Sequence, residues 1–519
     1  MTKKILHLPL TFVCIFLFSV LAQSETLRIS MQERVPAEWD KSAYSLVNRV
    51  ETWQASETAI IICDMWDKHW CPTATKRFDE LAAALNPVIC NARDKGVLIV
   101  HSPSECMNHY KEFAQRKIMA NYKDKNIAAL INYQKLPSES KKPFPIDASD
   151  QGCECSPKSR PHIAWKKETD TILINPKDII SDSGEEIGTY FKQHGIKNVI
   201  LTGVATNMCV LHRSFGLRNM KRLGLNVVLM RDFTDTMYNP ERPPHTDHFS
   251  GTDLVVEYIE KYVCPTIVST DFTNKKQFRF NGDQRKRIAI LIAEGEYRAN
   301  QHLPEFAREL TLRKFSCDFS LGVPYMTGNG RHNLENIQII ENADLMILFV
   351  RRRALPADKM AAIKKYVKSG RPILAIRTSC VAFDTREEKT TDENKNILEQ
   401  WKEFDRDILG GNYQNHHEHL KTGTDISIAA GMESHPLLAG VKPFNSLNWL
   451  YKHQPLRSEK AQVLLRGTNP NKPVEPVFWT NGDNVIYTSL GHWDDWKNDN
   501  FKTLMLNSIN FLLKEKKQP

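Results

Sequence analysis

The chain reads Val199-Ile200-Leu201-Thr202-Gly203-Val204-Ala205-Thr206-Asn207-Met208-Cys209-Val210, an apolar strand that leads into a polar turn carrying a cysteine. The β-branched run predicts a buried strand over Val199–Leu201. The segment Val210–Met220 can form a helix, so the sequence predicts that the Cys209 sulfur lies at a helix N-terminus. There the helix dipole would lower the pKa of the thiol and favour the reactive thiolate.

The same alternation of apolar strands and helical segments extends over the whole chain. It is typical of parallel sheets covered by helices, and it predicts an α/β protein with two domains, each a mainly parallel sheet flanked by helices. In the first half, the other predicted strands are Ala59–Cys63, Val97–His101, Thr171–Ile174 and Asn226–Met230, and the predicted helices are Lys76–Lys95 and Gly184–His194. In the second half, the predicted strands are Lys286–Ala293, Leu345–Phe349, Ile373–Ile376 and Asn484–Tyr487, and the predicted helices are Pro356–Ser369 and Phe501–Leu513.

The length of the chain supports the division into domains. A chain of 519 residues is too long for a single core. The stretch 270–284 is polar and lysine-rich, and we interpret it as a linker. The predicted domains therefore comprise residues 25–269 and 285–519.

The N-terminus differs in composition from the rest of the chain. Lys3 and Lys4 precede the apolar run Ile5–Leu21, and small and polar residues follow at Ala22–Ser24. This pattern predicts a secretory signal peptide over residues 1–24, so that the protein is exported to the periplasm or secreted. An uncleaved membrane anchor is the alternative, because a run of about 17 apolar residues is near the lower limit for spanning a bilayer.

Composition limits the classes of partner and cofactor. Eleven cysteines are present, and removal of Cys14 with the signal peptide leaves an even number that would permit disulfides. Cys63 and Cys90 lie in apolar strand-like and helical segments, which favours free buried thiols, whereas Cys153 and Cys155 lie in a polar loop and could form a bridge or bind metal. Neither of these two pairs shows zinc-ligand spacing. The net charge of +9 is spread over short runs without interleaved aromatic residues, so nucleic-acid binding is not expected.

Two further polar side chains of the first half lie at the ends of strands, where the active-site residues of open parallel sheets are usually found. Asp64 follows Ala59–Cys63 and His101 ends Val97–His101. Asp64 could instead cap a helix. His101 could contact substrate or ligate a metal, or it could be satisfied by a backbone carbonyl.

The turn Gly203–Val210, together with Ile-Ile-x-Asp-Met around Asp64, resembles the isochorismatase-like hydrolases, a superfamily that includes nicotinamidases. The resemblance spans Thr58–Ser269. It implies a Cys209 nucleophile that attacks an amide or related carbonyl and an Asp64 that transfers the proton. It also implies an oxyanion hole at Val204 and Ala205 with the Cys209 N–H. The alternative for Cys209 is a buried small hydrophobic side chain.

The family's catalytic lysine is the point at which the resemblance is incomplete. Lys177 lies close to the expected position, and it is the predicted third member of the triad. If it does not serve, Arg213 or His69 could supply the cation. Members of the superfamily bind a metal through Asp and His, but the matching region here holds His101, Glu105 and His109 without that spacing, so no metal or other cofactor is predicted.

The second half resembles the ThuA-like (trehalose-utilisation) family, which implies the fold of class I glutamine amidotransferases. The resemblance is carried by Leu291–Tyr297, Ile376–Ser379, Gly410–Tyr413 and Thr488–Asp495. Arg377 occupies the apex where that fold places its nucleophilic cysteine, so glutaminase chemistry is not expected. The predicted ligand site comprises Arg377, His417, His492 and Trp493, which suit a sugar.

Three hypotheses follow from these patterns. The first is an exported cysteine hydrolase that acts on a C–N or similar bond of a small molecule, with a second domain that binds carbohydrate or assists. The second is a first domain that only binds a ligand. The third is a carbohydrate-modifying enzyme whose activity lies in the second domain. The first resemblance also implies association into a homo-oligomer.

Overall fold

The computed structural model describes residues 25–514 apart from 274, 326 and 329. The predicted signal peptide lies outside the described residues. Among the residues described, no helix combines the length and the apolar composition that crossing a bilayer requires. The strands form two large sheets of eight and nine strands.

The first sheet has the strand order β2-β1-β8-β7-β6-β3-β4-β5. All pairings from β8 to β5 are parallel, whereas β1 pairs antiparallel with β2 and β8. The strands are β1 Thr26–Pro36, β2 Tyr44–Gln54, β3 Thr58–Cys63, β4 Leu98–Ser102, β5 Ile179–Ile180, β6 Asn198–Val204, β7 Asn226–Asp235 and β8 Thr266–Ile267. The helices are α1 Pro72–Asp94, α2 Met107–Tyr110, α3 Ala114–Met119, α4 Lys125–Leu130, α5 Gly184–His194, α6 Leu217–Arg222 and α7 His248–Tyr262.

Burial on both faces explains why the central strands of this sheet read as continuous apolar runs. Along β3, Ile60 and Ile62 pack into the core on one face, and Ala59, Ile61 and Cys63 pack into the core on the other. The β1–β2 hairpin was not predicted. In β1, Leu27, Ile29 and Met31 are buried and alternate with less buried residues, the pattern of a strand covered on one face.

The second sheet has the order β10-β9-β11-β12-β21-β20-β19-β16-β17. Its strands are β9 Arg287–Ala293, β10 Ser316–Leu321, β11 Leu345–Val350, β12 Ile373–Ile376, β16 Thr424–Ile428, β17 Phe444–Ser446, β19 Ala461–Thr468, β20 Glu475–Asn481 and β21 Val485–Thr488. Two small pairs, β13 Thr390–Thr391 with β14 Ile397–Leu398 and β15 Asn415–His416 with β18 Tyr451–Lys452, lie outside it. The helices are α8 Ala299–Leu312, α9 Ala357–Lys368 and α10 Asp499–Leu513.

The prediction of a mainly parallel second sheet is wrong. The pairings from β10 to β21 are parallel, but those from β21 to β17 are antiparallel. The sheet is therefore mixed. The strands β16, β17 and β19 of the antiparallel part were not predicted, because exposed or half-exposed residues stand among their buried ones. In the sequence, such strands resemble loops.

Most of the predicted elements are confirmed, and two local predictions are wrong. The segment Thr171–Ile174 is irregular, with Leu173 exposed, and the edge position is taken by β5. The helix predicted over Val210–Met220 is interrupted at residues 213–216, and α6 begins only at Leu217. Within the predicted linker, Phe278 stacks on Phe233 with ring centroids 5.0 Å apart, so this stretch packs against the first sheet.

Candidate active site at the end of the first sheet

Cys209 lies in a single π-helical turn, Thr206–Val210, shortly after β6. The chain enters this turn at Gly203, whose φ of +101° and whose contact with the Cys63 carbonyl oxygen leave no room for a side chain. Asn207 holds the turn in place, because its side chain donates to Met237 O at 2.9 Å and accepts from Met237 N at 3.0 Å. The position of the sulfur is thus fixed by the backbone around it.

The environment of Cys209 differs from the predicted helix N-terminus. The helical backbone continues for only two residues after Val210. No long helix therefore begins at Cys209, and no long helix dipole points at its sulfur. Burial raises the pKa of the Cys209 thiol, the charge of Asp64 raises it further, and Arg213 opposes both effects. The direction of the pKa shift is therefore opposite to the prediction of a lowered thiol pKa.

Asp64 is the partner of that thiol. It directly follows β3, is fully buried, and shares a hydrogen bond with Cys209. Its Oδ1 accepts from Ser104 N at 2.7 Å and its Oδ2 accepts from Arg213 Nε at 3.0 Å. Burial raises the pKa of Asp64, while Arg213 and the hydrogen bonds lower it. Asp64 does not cap a helix, because α1 begins only at Pro72.

The cation beside Asp64 is Arg213 and not Lys177. Lys177 is exposed in the turn before β5, and it forms no ion pair within the described part of the chain. His69 does not replace it, since burial lowers its pKa to about 4 and it is neutral at pH 7. Its ring stacks with those of Trp66 and Trp165, at centroid distances of 6.1 and 5.8 Å.

His101 has a structural environment that the sequence did not indicate. Its Nδ1 lies 2.6 Å from Glu168 Oε2 and its Nε2 lies 3.1 Å from Asp178 Oδ2. Burial disfavours the charged ring, but the two carboxylates outweigh this and raise the pKa of His101 to about 9. Arg93 also pairs with Asp178. His101 thus fastens the segment before β5 to the sheet, and it does not line the cavity beside Cys209.

A cavity of about 300 Å³ opens beside the sulfur. A peptide bond in the cis form joins Val204 to Ala205 at its base, and the Ala205 N–H donates to the Cys209 sulfur. Of the lining residues, the sequence alone did not single out Ser104, although Ser104 belongs to the strand-end sequence Val-His-Ser-Pro-Ser. The cavity is lined by Ser104, Glu105, Tyr133, Asp182, Met208, Cys209, His212, Arg213 and Ser214.

Comparison with known families agrees with this geometry. Residues 58–250 match the family model described as the isochorismatase domain. This part of the chain is an isochorismatase domain. It contains the whole arrangement of Asp64, Cys209 and Arg213. No curated protein matches the chain.

Several solved structures are similar to parts of this chain. A cysteine hydrolase from Pseudomonas syringae pv. phaseolicola 1448A is 12% identical and covers 42% of this chain and 92% of its own, with a TM-score of 0.27. A pyrazinamidase of Pyrococcus horikoshii in complex with zinc is 17% identical and covers 41% and 99%, with a TM-score of 0.25. A protein described as ThuA-like, from Bacteroides uniformis ATCC 8492, is 15% identical and covers 47% and 97%, with a TM-score of 0.34.

Beyond the isochorismatase domain, the structure brings together most of the predicted second site. Arg377 is fully buried directly after β12, and its guanidinium lies 3.9 Å from the ring centroid of Tyr297 and 4.9 Å from that of Tyr451. The His492 and Trp493 rings are 3.7 Å apart and both lie near Tyr297. Within the described residues, Arg377 Nε and Nη2 have no hydrogen-bond acceptor.

His417 is not brought into contact with this group. Its Nε2 lies 3.1 Å from Glu475 Oε1 in a buried pair. A buried carboxyl that the sequence did not single out, Glu294, accepts from Tyr297 N at 2.9 Å. Burial raises the pKa of Glu294 to about 7.

The described residues that could hold a metal lie elsewhere in the isochorismatase domain. Cys71, Cys153 and Cys155 converge there, with ligand atoms all within 4.8 Å of one another. The sequence showed Cys153 and Cys155 as a pair, but it could not show that Cys71 joins them.

Proposed function

We propose that the protein is an exported cysteine hydrolase that cleaves a C–N bond of the amide type in a small molecule. The observation that carries the proposal is the contact chain from Cys209 through Asp64 to Arg213 at the edge of the cavity. A nucleophile, a proton acceptor hydrogen-bonded to it and a cation beside the acceptor are the groups that acyl transfer requires.

In the first step, Asp64 takes the thiol proton of Cys209 and the sulfur attacks the carbonyl carbon. The electron pair of the C=O bond moves to oxygen, and we assign the backbone N–H groups of Ala205 and Cys209, as the family resemblance implies, as the donors to that oxygen. The C–N bond then breaks as the protonated Asp64 gives its proton to the leaving nitrogen. The products of this step are an amine and a thioester on Cys209.

In the second step, water replaces the amine. Asp64, again ionised, takes a proton from the water while the water oxygen attacks the carbonyl carbon of the thioester. The C–S bond breaks, and Asp64 returns the proton to the sulfur. The acid leaves, and the resting thiol is restored, which agrees with a thiol pKa held above its ordinary value.

Arg213 performs the electrostatic task that the family assigns to a lysine. Asp64 is fully buried, so its charged form is costly unless a cation compensates. Arg213 Nε donates to Asp64 Oδ2 and lowers the pKa of the carboxyl against the effect of burial, which favours the ionised form that accepts a proton. Because Arg213 follows the nucleophile by one turn, the same segment positions both groups.

The test is a screen of small amides, followed by trapping of the acyl group. With an amide that is turned over, Cys209→Ala should lose at least about 10³-fold in kcat/KM, and mass spectrometry of acid-quenched wild-type protein should find the acyl group on Cys209. Cys264→Ser is the matched control, because Cys264 is also buried in this domain but lies outside the cavity. Turnover that survives Cys209→Ala would refute the proposal. A failure of the whole panel to react, with amides that still bind, would favour a ligand-binding module.

A second candidate function belongs to the second half. We propose that the ThuA-like half binds a sugar through Arg377, His492 and Trp493, since two guanidinium nitrogens of Arg377 have no acceptor and aromatic faces lie beside them. Arg377→Met should abolish sugar binding measured by calorimetry and leave amide hydrolysis unchanged. If hydrolysis of a sugar derivative were lost in His492→Ala and kept in Cys209→Ala, the activity would belong to this half.

A further inference from the structure

Three thiols converge where α1 begins. Cys71 Sγ lies 3.4 Å from both Cys153 Sγ and Cys155 Sγ, and all three sulfur atoms lie within 4.8 Å of one another. Cys71 and Cys153 are buried, and Cys155 is half-buried. The hydrolysis proposed above uses none of the three.

The spacing of the sulfur atoms suits a shared ion better than a covalent bridge. Thiolates held about 2.3 Å from a tetrahedral zinc ion lie about 3.8 Å from one another, close to the separations seen here. A disulfide requires sulfur atoms about 2.05 Å apart. Cys71 is equally near both neighbours, so a bridge to one would leave the other thiol without a partner in the cluster.

Hydrogen-bond donors lie beside the sulfur atoms. Backbone N–H groups of the first turn of α1 point at the cluster, with Ala74 donating to Cys71 and Thr73 donating to Cys155. The positive end of the dipole of this 23-residue helix acts in the same direction. Thr73 Oγ1 lies 3.2 Å from Cys71 Sγ and 3.5 Å from Cys155 Sγ, so an oxygen is available beside the sulfur atoms.

The loop that carries two of the thiols is anchored on both sides of them. Asn239 donates to Asp150 Oδ2 at 2.8 Å, and Arg77 pairs with Glu154. Gly152 fits so closely against the backbone of Met237 that an added Cβ would lie 2.3 Å from its carbonyl. These contacts hold the sulfur atoms in one arrangement before any ion arrives, which lowers the entropy cost of binding.

We propose that Cys71, Cys153 and Cys155 bind a thiophilic divalent cation of the Zn²⁺ type, with an oxygen from Thr73 or water in the fourth position. Binding releases the three thiol protons to solvent and leaves three thiolates on the ion. The ion joins the loop at residues 150–155 to the start of α1. Its role is structural, because it lies outside the cavity beside Cys209.

The experiment uses the full chain, purified in reductant and freed of metal, with Co²⁺ as the probe. The wild type should develop a sulfur-to-cobalt absorption band in the near ultraviolet and the visible bands of tetrahedral Co²⁺. These should saturate at about one equivalent and disappear when Zn²⁺ is added. Cys155→Ser should lose the bands. Cys90→Ser, which alters another half-buried cysteine of the same domain, should keep them.

Thermal melting gives a second measurement. Zn²⁺ should raise the Tm of the metal-free wild type and of Cys90→Ser, and it should leave that of Cys155→Ser unchanged. Absence of tetrahedral Co²⁺ bands in the reduced wild type would overturn the proposal, even if Cys155→Ser failed to fold. Equal binding by Cys155→Ser would also overturn it, as would peptide mapping that found Cys71 in a disulfide with Cys153 or Cys155 in the freshly isolated protein.

Discussion

Replacement of Arg213 by Met tests how the charge on Asp64 is maintained. The substitution removes the guanidinium whose Nε lies 3.0 Å from Asp64 Oδ2, and it leaves a side chain of similar length. At that distance the attraction is about 5 kcal/mol for an effective dielectric constant of about 20. Arg213 is 28% exposed, so solvent screening and the cost of desolvation reduce the net effect to about 2–3 kcal/mol.

This free energy appears as a shift in the pKa of Asp64. One unit of pKa corresponds to about 1.4 kcal/mol, so the pKa of Asp64 should rise by about 1.5–2 units in Arg213→Met. Asp64 must be ionised to accept the Cys209 proton. The acidic limb of kcat/KM should therefore move to higher pH by that amount, measured with an amide from the screen at intervals of half a pH unit.

The matched control is Arg213→Lys, which keeps a positive charge near Asp64. Its acidic limb should stay within about half a unit of the wild type, because the charge and not the shape of the guanidinium sets the pKa. An unmoved limb in Arg213→Met would refute the assignment of Arg213 as the cation. Equal shifts in both variants would show that the hydrogen bond from Arg213 Nε to Asp64, and not the charge, sets the pKa of Asp64.

Three further predictions concern stability. The pKa of His101 is raised to about 9 in the folded protein, whereas it is near 6.5 in the unfolded chain. The ion pairs of His101 therefore stabilise the fold fully below pH 6.5, and this stability is lost as the pH rises through about 9. His101→Gln should lower the free energy of unfolding, measured in urea, by more at pH 6 than at pH 10, and an equal loss at both would contradict the ion-pair assignment. Gly152→Ala should lower Tm strongly, because the φ of this residue is +68° and the added Cβ would lie 2.3 Å from the Met237 carbonyl. Gly224→Ala is the control: its φ is +79°, but no atom lies within 4 Å of the added Cβ, so it should show only the smaller backbone cost of about 1–2 kcal/mol. Arg218→Met should cost about 3–5 kcal/mol, because it leaves Glu139 buried without its cation; a loss below about 1 kcal/mol, typical of a surface pair, would argue against this.

Local sequence patterns were sufficient wherever burial on both faces of a strand produces a continuous apolar run. The strands β3, β6, β9 and β12 were predicted for this reason. In the antiparallel half of the second sheet, β16 and β17 were missed because they are short and partly exposed. The strand β19 mixes exposed and buried positions, and the buried strand β20 carries Glu475, Pro476 and Thr480 among its apolar residues, so neither forms a long apolar run. The turn after β6 was predicted as well, because its sequence Gly203–Val210 resembles that of a known family, and the structure shows why residue 203 is glycine: an added Cβ would lie 2.2 Å from the Cys63 carbonyl oxygen.

The cation of the candidate site could not be chosen from the sequence. Lys177, Arg213 and His69 are all near the site along the chain or in the expected pattern, and only distance in space separates them. The interruption of the helix after Val210 brings Arg213 onto Asp64, and the turn before β5 exposes Lys177. The charge that a buried carboxyl requires is thus supplied by whichever cation the fold brings within hydrogen-bond distance.

By itself, the sequence determined the α/β class and the positions of most strands and helices, which depend on local backbone preference and on the period of apolar residues. The roles of Cys209 and Asp64 were predicted from the family resemblance. The tertiary structure decided the pairing of Arg213 with Asp64, the two carboxylates around His101, and the meeting of Cys71 with Cys153, which is 82 residues away. Electrostatic and metal-ligand contacts depend on distances between atoms, and those distances are set only when the loops pack against the sheet.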